Sequence, residues 1–178
     1  PDWGYYSKPP FVAWAIALTT LAHDGEFWVR LGSPLAHGLA ALCVYGLGRT
    51  LFEGRTGFWA ALVYLTLPGV SFSSAVVSTD PFLLLFWSLA TWMLALAAAT
   101  GQRRFFLLAG GAAGLGMLAK YAMVFWWLGL ALALMLVPAW RRVLWRRPLL
   151  LTAGGAGLAV VPNLLWNARH GWLTFTHT

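Results

Sequence analysis

Four ionisable side chains interrupt long apolar runs, and their types define the chemistry open to this chain. Lys8 lies in YYSKPP, Asp80 in VSTDP, Lys120 in LAKYA and His170 in WNARHGW. An ammonium group binds anions and stabilises a negatively charged leaving group, whereas an imidazole transfers protons. A carboxylate binds a hydroxyl, a metal or a cation. The pattern therefore predicts a polar site built from residues far apart in the sequence.

The segment around Lys8 predicts an anion site. Lys8 is followed by Pro9 and Pro10, and such a proline pair fits the first turn of a helix. A helix N-terminus beside an ammonium group attracts an anion such as phosphate, and Arg30 could add a bidentate contact. The alternatives are a Lys8 that extends towards lipid headgroups and an Arg30 that anchors a helix at the membrane interface.

Asp80 and Lys120 each allow two interpretations. The sequence STDP predicts that Asp80 caps a helix whose first residue is a proline. Its carboxylate could also lie at the mouth of a water-filled cavity, and both can hold together. Lys120 is either a loop residue or a ligand of the substrate.

His170 and Asn167 lie between two tryptophans in WNARHGW, where either a structural or a catalytic histidine is consistent with the pattern. The other histidines, His23, His37 and His177, have no neighbours in sequence that indicate ligation. Zinc-ligand spacing, HExxH, a Walker loop and GxSxG are missing from the sequence, and Cys43 is its single cysteine. These absences argue against an enzyme with a soluble cofactor, while a divalent metal remains open.

Composition indicates a membrane protein with several spans. Of 178 residues, 60% are hydrophobic and 10% are charged, whereas soluble domains carry about 25% charged residues. A net charge of +7 would suggest nucleic acid for a soluble protein. Here the basic residues form short clusters between apolar runs, which is typical of membrane topology, so no nucleic-acid partner is expected.

The apolar runs predict an all-α bundle with six transmembrane helices, each needing about 20 residues. The stretch 9–22 is too short to span and predicts a helix at or dipping into the interface. The six predicted spans are 27–48, 57–77, 81–99, 105–119, 121–138 and 148–166.

If the six spans alternate, eight of the twelve basic residues lie on one side. The positive-inside rule assigns that side to the cytoplasm. Lys8, Asp80, Lys120, Asn167 and His170 then converge on the extracytoplasmic face.

Gly110 and Gly114 have GxxxG spacing within AGGAAGLG. This spacing favours close packing between helices of one chain, with a dimer face as the alternative.

Four segments together resemble bacterial membrane glycosyltransferases of family 39, which include protein O-mannosyltransferases and lipid A aminoarabinose transferases. They are DWGYYSKPPFVAW, RLGSPLAHGLAALCVYGLGRTLF, STDPFLLLFW and PNLLWNARHGWLTF. The resemblance covers nearly the whole chain but only part of a full member, and it implies the membrane fold called GT-C.

The resemblance implies transfer of a sugar from a polyprenyl-phosphate donor to an extracytoplasmic acceptor, which typically inverts the anomeric centre. It assigns Lys8 to the donor phosphate, and we expect Arg30 and Lys120 to assist. Tyr5, Tyr6 and Asn167 would line the cavity, and catalytic roles would fall to Asp80 and His170.

The resemblance also implies that the main catalytic acid precedes Pro1, because Asp2 belongs to the DWGYY segment and does not match that acid. The sequence also starts at Pro1 without methionine. We therefore interpret residues 1–178 as an internal piece of one transmembrane domain, with a processed amino terminus as the alternative. It would comprise an extracytoplasmic loop and interfacial helix (1–26), six spans (27–166) and the start of another loop (167–178). Ser7 stands where aminoarabinose transferases have a glutamate, which argues against that sugar and against a metal site of that kind.

Two other functions stay open, a polyprenyl-lipid flippase or transporter and a non-catalytic membrane subunit. Transporters tend to place binding residues near the bilayer midplane, whereas the polar residues here cluster at one face. The expected location is a bacterial inner membrane with the active face outside.

Overall fold

The computed structural model describes residues 9–172, and this part of the chain forms nine α-helices and no β-strand. The all-α class predicted from the sequence is confirmed. The helices are α1 (Phe11–Thr20), α2 (Glu26–Leu51), α3 (Gly54–Thr66), α4 (Pro68–Ala75), α5 (Asp80–Thr100), α6 (Arg103–Ala119), α7 (Val124–Leu136), α8 (Pro138–Leu144) and α9 (Arg147–Arg169). A short 3-10 helix, Tyr121–Met123, precedes α7.

Three helices, α2, α5 and α9, are long and apolar enough to cross a membrane. The number rises to five if two bent pairs, α3 with α4 and α7 with α8, each count as one span. Helix α6 has 17 residues, which is shorter than the 26, 21 and 23 residues of α2, α5 and α9. A membrane helix bundle is therefore confirmed, while the number of six spans stays a prediction.

Prolines explain both bends. The predicted span 57–77 divides at Leu67–Pro68 into α3 and α4, which meet at 58°. Leu67 is extended, with ψ of 128°, because a following proline ring disfavours helical backbone in the residue before it. Pro138 ends α7 in the same way, and α8 departs from its axis by 113°.

The helices alternate in direction. Gly32 near the start of α2 faces the Phe82 ring near the start of α5, and Trp92 farther along α5 donates to Thr50 near the end of α2, at 3.2 Å. Helices α2 and α5 therefore run parallel, with their starts at one end of the bundle. Trp126 of α7 donates to Thr91 of α5, at 3.0 Å. Helix α5 ends at Gly101, whose left-handed φ of 67° lets the chain turn back into α6.

This alternation gives the bundle two ends of different charge, as the sequence predicted. We call them the Asp80 end and the arginine end. The Asp80 end holds the starts of α2 and α5 and the ends of α4, α6 and α9. The arginine end holds Arg49, Arg55, Arg103, Arg104, Arg141, Arg142, Arg146 and Arg147.

Glycines bring α6 and α9 into parallel backbone contact. A Cβ on Gly110 would overlap the Thr152 carbonyl, and one on Gly114 would lie 2.7 Å from the Ala156 oxygen. Gly155 approaches the Leu107 carbonyl just as closely. Small residues permit such approach, so the in-chain interpretation of Gly110 and Gly114 is confirmed.

The main apolar core lies between α5, α6 and α7. Its buried side chains include Leu94, Phe106, Met123 and Trp126, and Leu144 of α8 closes it near the arginine end.

Helix α1 confirms the short helix predicted within 9–22. Pro10 is its N-cap residue, and Phe11 packs against Phe82 and Phe86, with ring centroids 5.4 and 4.8 Å away. Its position relative to a membrane interface stays a prediction.

Candidate functional site

Asp80 and Lys120 form an ion pair at the Asp80 end. The Lys120 Nζ lies 2.6 Å from the Asp80 Oδ1, because α5 begins at Asp80 and α6 ends one residue before Lys120. Both side chains are about half-exposed, 51% for Asp80 and 42% for Lys120. Exposed ion pairs contribute only about 0–1 kcal/mol. The pair therefore matters more for the position of its charges than for the stability of the fold.

The prediction that Asp80 caps a helix is wrong. Thr79 is the N-cap residue of α5 and makes no side-chain cap hydrogen bond, while Asp80 is the first helical residue and Pro81 the second. The Asp80 carboxylate accepts a hydrogen bond from Lys120 instead. It still lies at a helix N-terminus, where the helix dipole favours negative charge.

A cavity of about 480 Å³ opens beside Asp80, between α1 and the segment 77–80. It is lined by Pro9, Val12, Ala13, Ile16, Val77, Ser78, Thr79 and Asp80. Pro9 directly follows Lys8 in the sequence. Lys8, Tyr5 and Tyr6 lie outside the described residues, so their roles stay predictions.

Arg30 lies at the start of α2 and binds two partners within the chain. Its Nη2 lies 2.7 Å from Glu26 Oε1, and its Nη1 donates to the Ala75 carbonyl at 2.9 Å. The guanidinium is half-exposed. Arg30 therefore fastens α2 to the end of α4, and its predicted contact with a phosphate stays a prediction.

Asn167 is completely buried in α9, with 0% of its surface exposed. Its side-chain nitrogen donates to the Asn163 carbonyl at 3.1 Å. This hydrogen bond lies within α9 itself. The role of Asn167 in lining the cavity stays a prediction.

His170 lies just beyond α9, exposed, with its ring stacked on Trp166 at a centroid distance of 4.2 Å. Its Nδ1 lies 2.8 Å from the Trp166 carbonyl oxygen. His170 shares the Asp80 end of the bundle, as predicted, but its ring stacks on Trp166 and its Nδ1 approaches the Trp166 carbonyl, both within its own segment. Its catalytic role stays a prediction.

Sequence reasoning missed a buried polar contact between α2 and α3. His37 Nδ1 lies 2.8 Å from the Tyr64 hydroxyl, and His37 is only 1% exposed. The two residues are 27 positions apart, and neither lies in a recognisable motif. The available signal was a histidine inside an apolar span, where ionisable residues are costly and mark functional candidates.

Two adjoining apolar cavities run along α2 and α5. One, of about 340 Å³, lies between α1, α2 and α5, and the other, of about 870 Å³, continues towards Arg49 and Thr50. Leu39 and Leu85 line both. Because Gly46 has no side chain, the Trp92 ring packs directly against the backbone of α2. We call this pair of cavities the apolar groove.

Among residues 9–172, no three His, Cys, Asp or Glu side chains lie close enough together to hold a metal ion. The described residues therefore give the open divalent metal no ligand set.

Comparison with known proteins decides the family. The family model described as dolichyl-phosphate-mannose-protein mannosyltransferase matches residues 7–166. The chain belongs to this family. The resemblance stated from the four sequence segments is thereby confirmed.

Curated relatives share substantial identity with the chain. A lipid A galacturonosyltransferase, RgtD, of Rhizobium johnstonii is 39% identical over 99% of this chain and 37% of its own length. An undecaprenyl phosphate-alpha-4-amino-4-deoxy-L-arabinose arabinosyl transferase of Pseudomonas fluorescens is 30% identical over 91% of this chain and 30% of its own. Its counterpart in Yersinia enterocolitica is 33% identical over 65% and 22%.

The chain thus spans roughly a third or less of these relatives. No solved structure matches it significantly. The GT-C architecture therefore stays an implication of the family.

Proposed function

We propose that this chain is part of a membrane glycosyltransferase that moves a sugar from a polyprenyl-phosphate donor to a lipid acceptor. The observation that carries the proposal is the Asp80–Lys120 pair beside a cavity, at the end of the bundle opposite the arginines. The family match over residues 7–166 and the names of the relatives support the reaction class.

The orientation follows from charge. The positive-inside rule assigns the arginine end to the cytoplasm, which leaves the Asp80 end on the outer face of a bacterial inner membrane. The chain, residues 1–178, then forms part of one transmembrane domain.

The transfer breaks the bond between the anomeric carbon and the phosphate oxygen and forms a bond from that carbon to an acceptor hydroxyl oxygen. The acceptor proton passes to a base, and polyprenyl phosphate leaves with one more negative charge. Cations that are already in place stabilise this charge best where little water is present. Lys120, held by Asp80 at 2.6 Å, keeps N–H groups for the phosphate, and Lys8 would act beside Pro9.

The apolar groove suits the prenyl chain of such a donor. It begins at Phe82, two residues from Asp80, and follows α2 and α5 towards the arginine end. A chain lying there would present its phosphate at the Asp80 end and would meet a charged lining residue, Arg49, only at the far end of the groove.

The sugar we propose is a uronic acid, and the acceptor is lipid A. The galacturonosyltransferase covers 99% of this chain at 39% identity, above the arabinosyl transferases at 30% and 33%. The resemblance implies a glutamate at this position in the aminoarabinose enzymes, and the Ser7 found here supports the same choice.

The test uses the full-length protein in proteoliposomes with lipid A and either undecaprenyl-phosphate galacturonic acid or undecaprenyl-phosphate aminoarabinose. Mass spectrometry should show hexuronic acid added to lipid A. Addition of aminoarabinose alone would overturn the choice of sugar. Movement of donor across the bilayer without any transfer would replace the proposal with the flippase alternative.

Two variants of the same protein localise the site. Lys120→Ala should lower the transfer rate, and Arg103→Ala, which removes a cation at the arginine end, should leave it unchanged. Equal effects of the two would remove the Asp80–Lys120 pair from the proposal.

A further inference from the structure

We propose that Ser33 and His37 are positioning residues that hold the broken span α3–α4, so that the segment 76–80 forms one wall of the cavity beside Asp80. Neither residue touches the reacting groups in this proposal. Both act through their contacts with the α3 side chain of Tyr64 and the backbone at the end of α4. The inference rests on the proposed function and adds residues deep in the bundle to it.

A polar stripe on α2 faces α3 and α4. Arg30, Ser33 and His37 are spaced by three and four residues, so they lie on one face of the helix. Arg30 donates to the Ala75 carbonyl and Ser33 Oγ donates to the Val76 carbonyl, each at 2.9 Å. His37 contacts the hydroxyl of Tyr64 on α3, the helix before α4. The stripe therefore spans the bend between α3 and α4.

The end of α4 needs such partners. Helix α4 has eight residues, and its last carbonyls have no continuing helix to donate to them. Val76 is extended, with φ of −115° and ψ of 136°. The donors from Arg30 and Ser33 bind two of the carbonyls at this end, and Ser33 is almost fully buried, at 2% exposure. The direction in which the chain leaves α4 is thus set by α2.

His37 fixes the other side of the bend. Tyr64 lies three residues before Leu67, where α3 gives way to Pro68. The His37 Nε2 atom and the Ser73 hydroxyl are both buried, and neither has a hydrogen-bond partner among the described residues. A leucine at position 37 would remove the unpaired Nε2, but it would also take away the imidazole that the half-buried Tyr64 hydroxyl contacts. The contact between the imidazole and the hydroxyl therefore ties α2 to α3 just before the bend.

The held segment leads straight to the ion pair. Val77, Ser78 and Thr79 line the cavity, and Asp80 begins α5. A shift of Val76 is transmitted through these three residues to the carboxylate that fixes Lys120. Releasing the stripe should therefore misalign Asp80 while leaving the donor groove along α2 and α5 intact.

The kinetic test uses the full-length enzyme with Ser33→Ala, His37→Leu and Tyr64→Phe. Each should lower kcat by up to about tenfold, no more than a change to Asp80 itself, because small misplacements near a reacting centre are costly, while donor KM stays nearly constant. Ser74→Ala is the matched control, since Ser74 Oγ donates only to Val70 within its own helix α4. His37→Asn, which keeps a polar atom near the position of Nδ1, should recover part of the rate.

A second measurement does not depend on activity. Spin labels at Ser78 and Gln102, in a cysteine-free background, report the position of the cavity wall relative to the arginine end. The distance distribution should be narrow in the parent and in Ser74→Ala, and broader or shifted in His37→Leu and Tyr64→Phe.

The outcomes separate the two proposals. An unchanged distance distribution in both stripe variants, or a loss of folded protein with unchanged kcat in the folded fraction, would overturn the positioning role. Absence of transfer in the parent protein would overturn the proposed function alone, and the spin-label result would still decide whether the stripe holds the wall.

Discussion

The two ends of the bundle are both charged, but their charges are organised differently. At the Asp80 end, Arg30 pairs with Glu26 and Lys120 pairs with Asp80. At the arginine end, the basic side chains form no ion pair within residues 9–172, although Glu53 lies between Arg49 and Arg55 in the sequence. One end uses matched charges at fixed positions, and the other uses an excess of one sign.

This difference separates topology from chemistry. Orientation in the membrane depends on the number of Lys and Arg in the short loops and does not require each of them at an exact position. A site that stabilises a leaving phosphate requires each charge at a set position. Substitutions at the two ends should therefore have unequal effects on transfer.

Lys8→Ala in the full-length protein should have the largest effect on the transfer rate. Loss of one preplaced donor to the leaving phosphate lowers the rate on the order of a hundredfold or more. Membrane insertion should persist, because the arginine end is untouched. The rate is measured in proteoliposomes and insertion by protease protection, and normal turnover would exclude the phosphate role of Lys8.

Gly110→Ala tests whether the two ends are held by the packing of α6 against α9. The new methyl would overlap the Thr152 carbonyl, so the helices must separate. Overpacking of this kind costs about 1–3 kcal/mol. Thermal unfolding in detergent should occur at lower temperature, whereas Gly154→Ala, where an added Cβ meets nothing within 4 Å, should leave it unchanged or raise it. Equal midpoints for the two variants would contradict the close contact.

Asp80→Asn and Lys120→Met test whether the two residues of the ion pair act together in transfer. Each should lower kcat by about tenfold, and the double variant should lose little more, since residues that act as a unit are not additive. Multiplied effects in the double variant would show that the two residues act independently.

Arg141→Gln should have the smallest effect. Arg141 lies on α8 at the arginine end, seven other basic residues share that end, and transfer should change by less than about twofold because the cation excess persists. A large loss of transfer, with insertion intact, would move chemistry to this end.

The sequence was sufficient for the class, the main helices and the separation of charge between the ends, because hydrophobic runs and arginine clusters are local signals. It identified Asp80 and Lys120 singly but not as partners. Their contact depends on how α5 and α6 pack against each other after the turn at Gly101. The sequence around Asp80 or around Lys120 carries no signal for that packing. His37 was passed over for the same reason, since Tyr64 lies on another helix.

The break at Pro68 shows a different shortfall. The proline was a readable signal for a break, yet a continuous apolar run from 57 to 77 favoured one straight span. Hydropathy averages over a window, whereas a proline acts on the one residue before it.

If α6 spans the bilayer, as the sequence predicts for 105–119, its shortness has a physical consequence for the lipid around it. At 17 residues and 1.5 Å per residue it is about 25 Å long, a few ångström less than the ~30 Å hydrocarbon layer of a typical bilayer. Such hydrophobic mismatch is relieved by local thinning of the bilayer. Lys120, which directly follows the last residue of this helix, would then lie below the surrounding membrane surface, and a lipid headgroup would have to lie deeper than its neighbours to reach it.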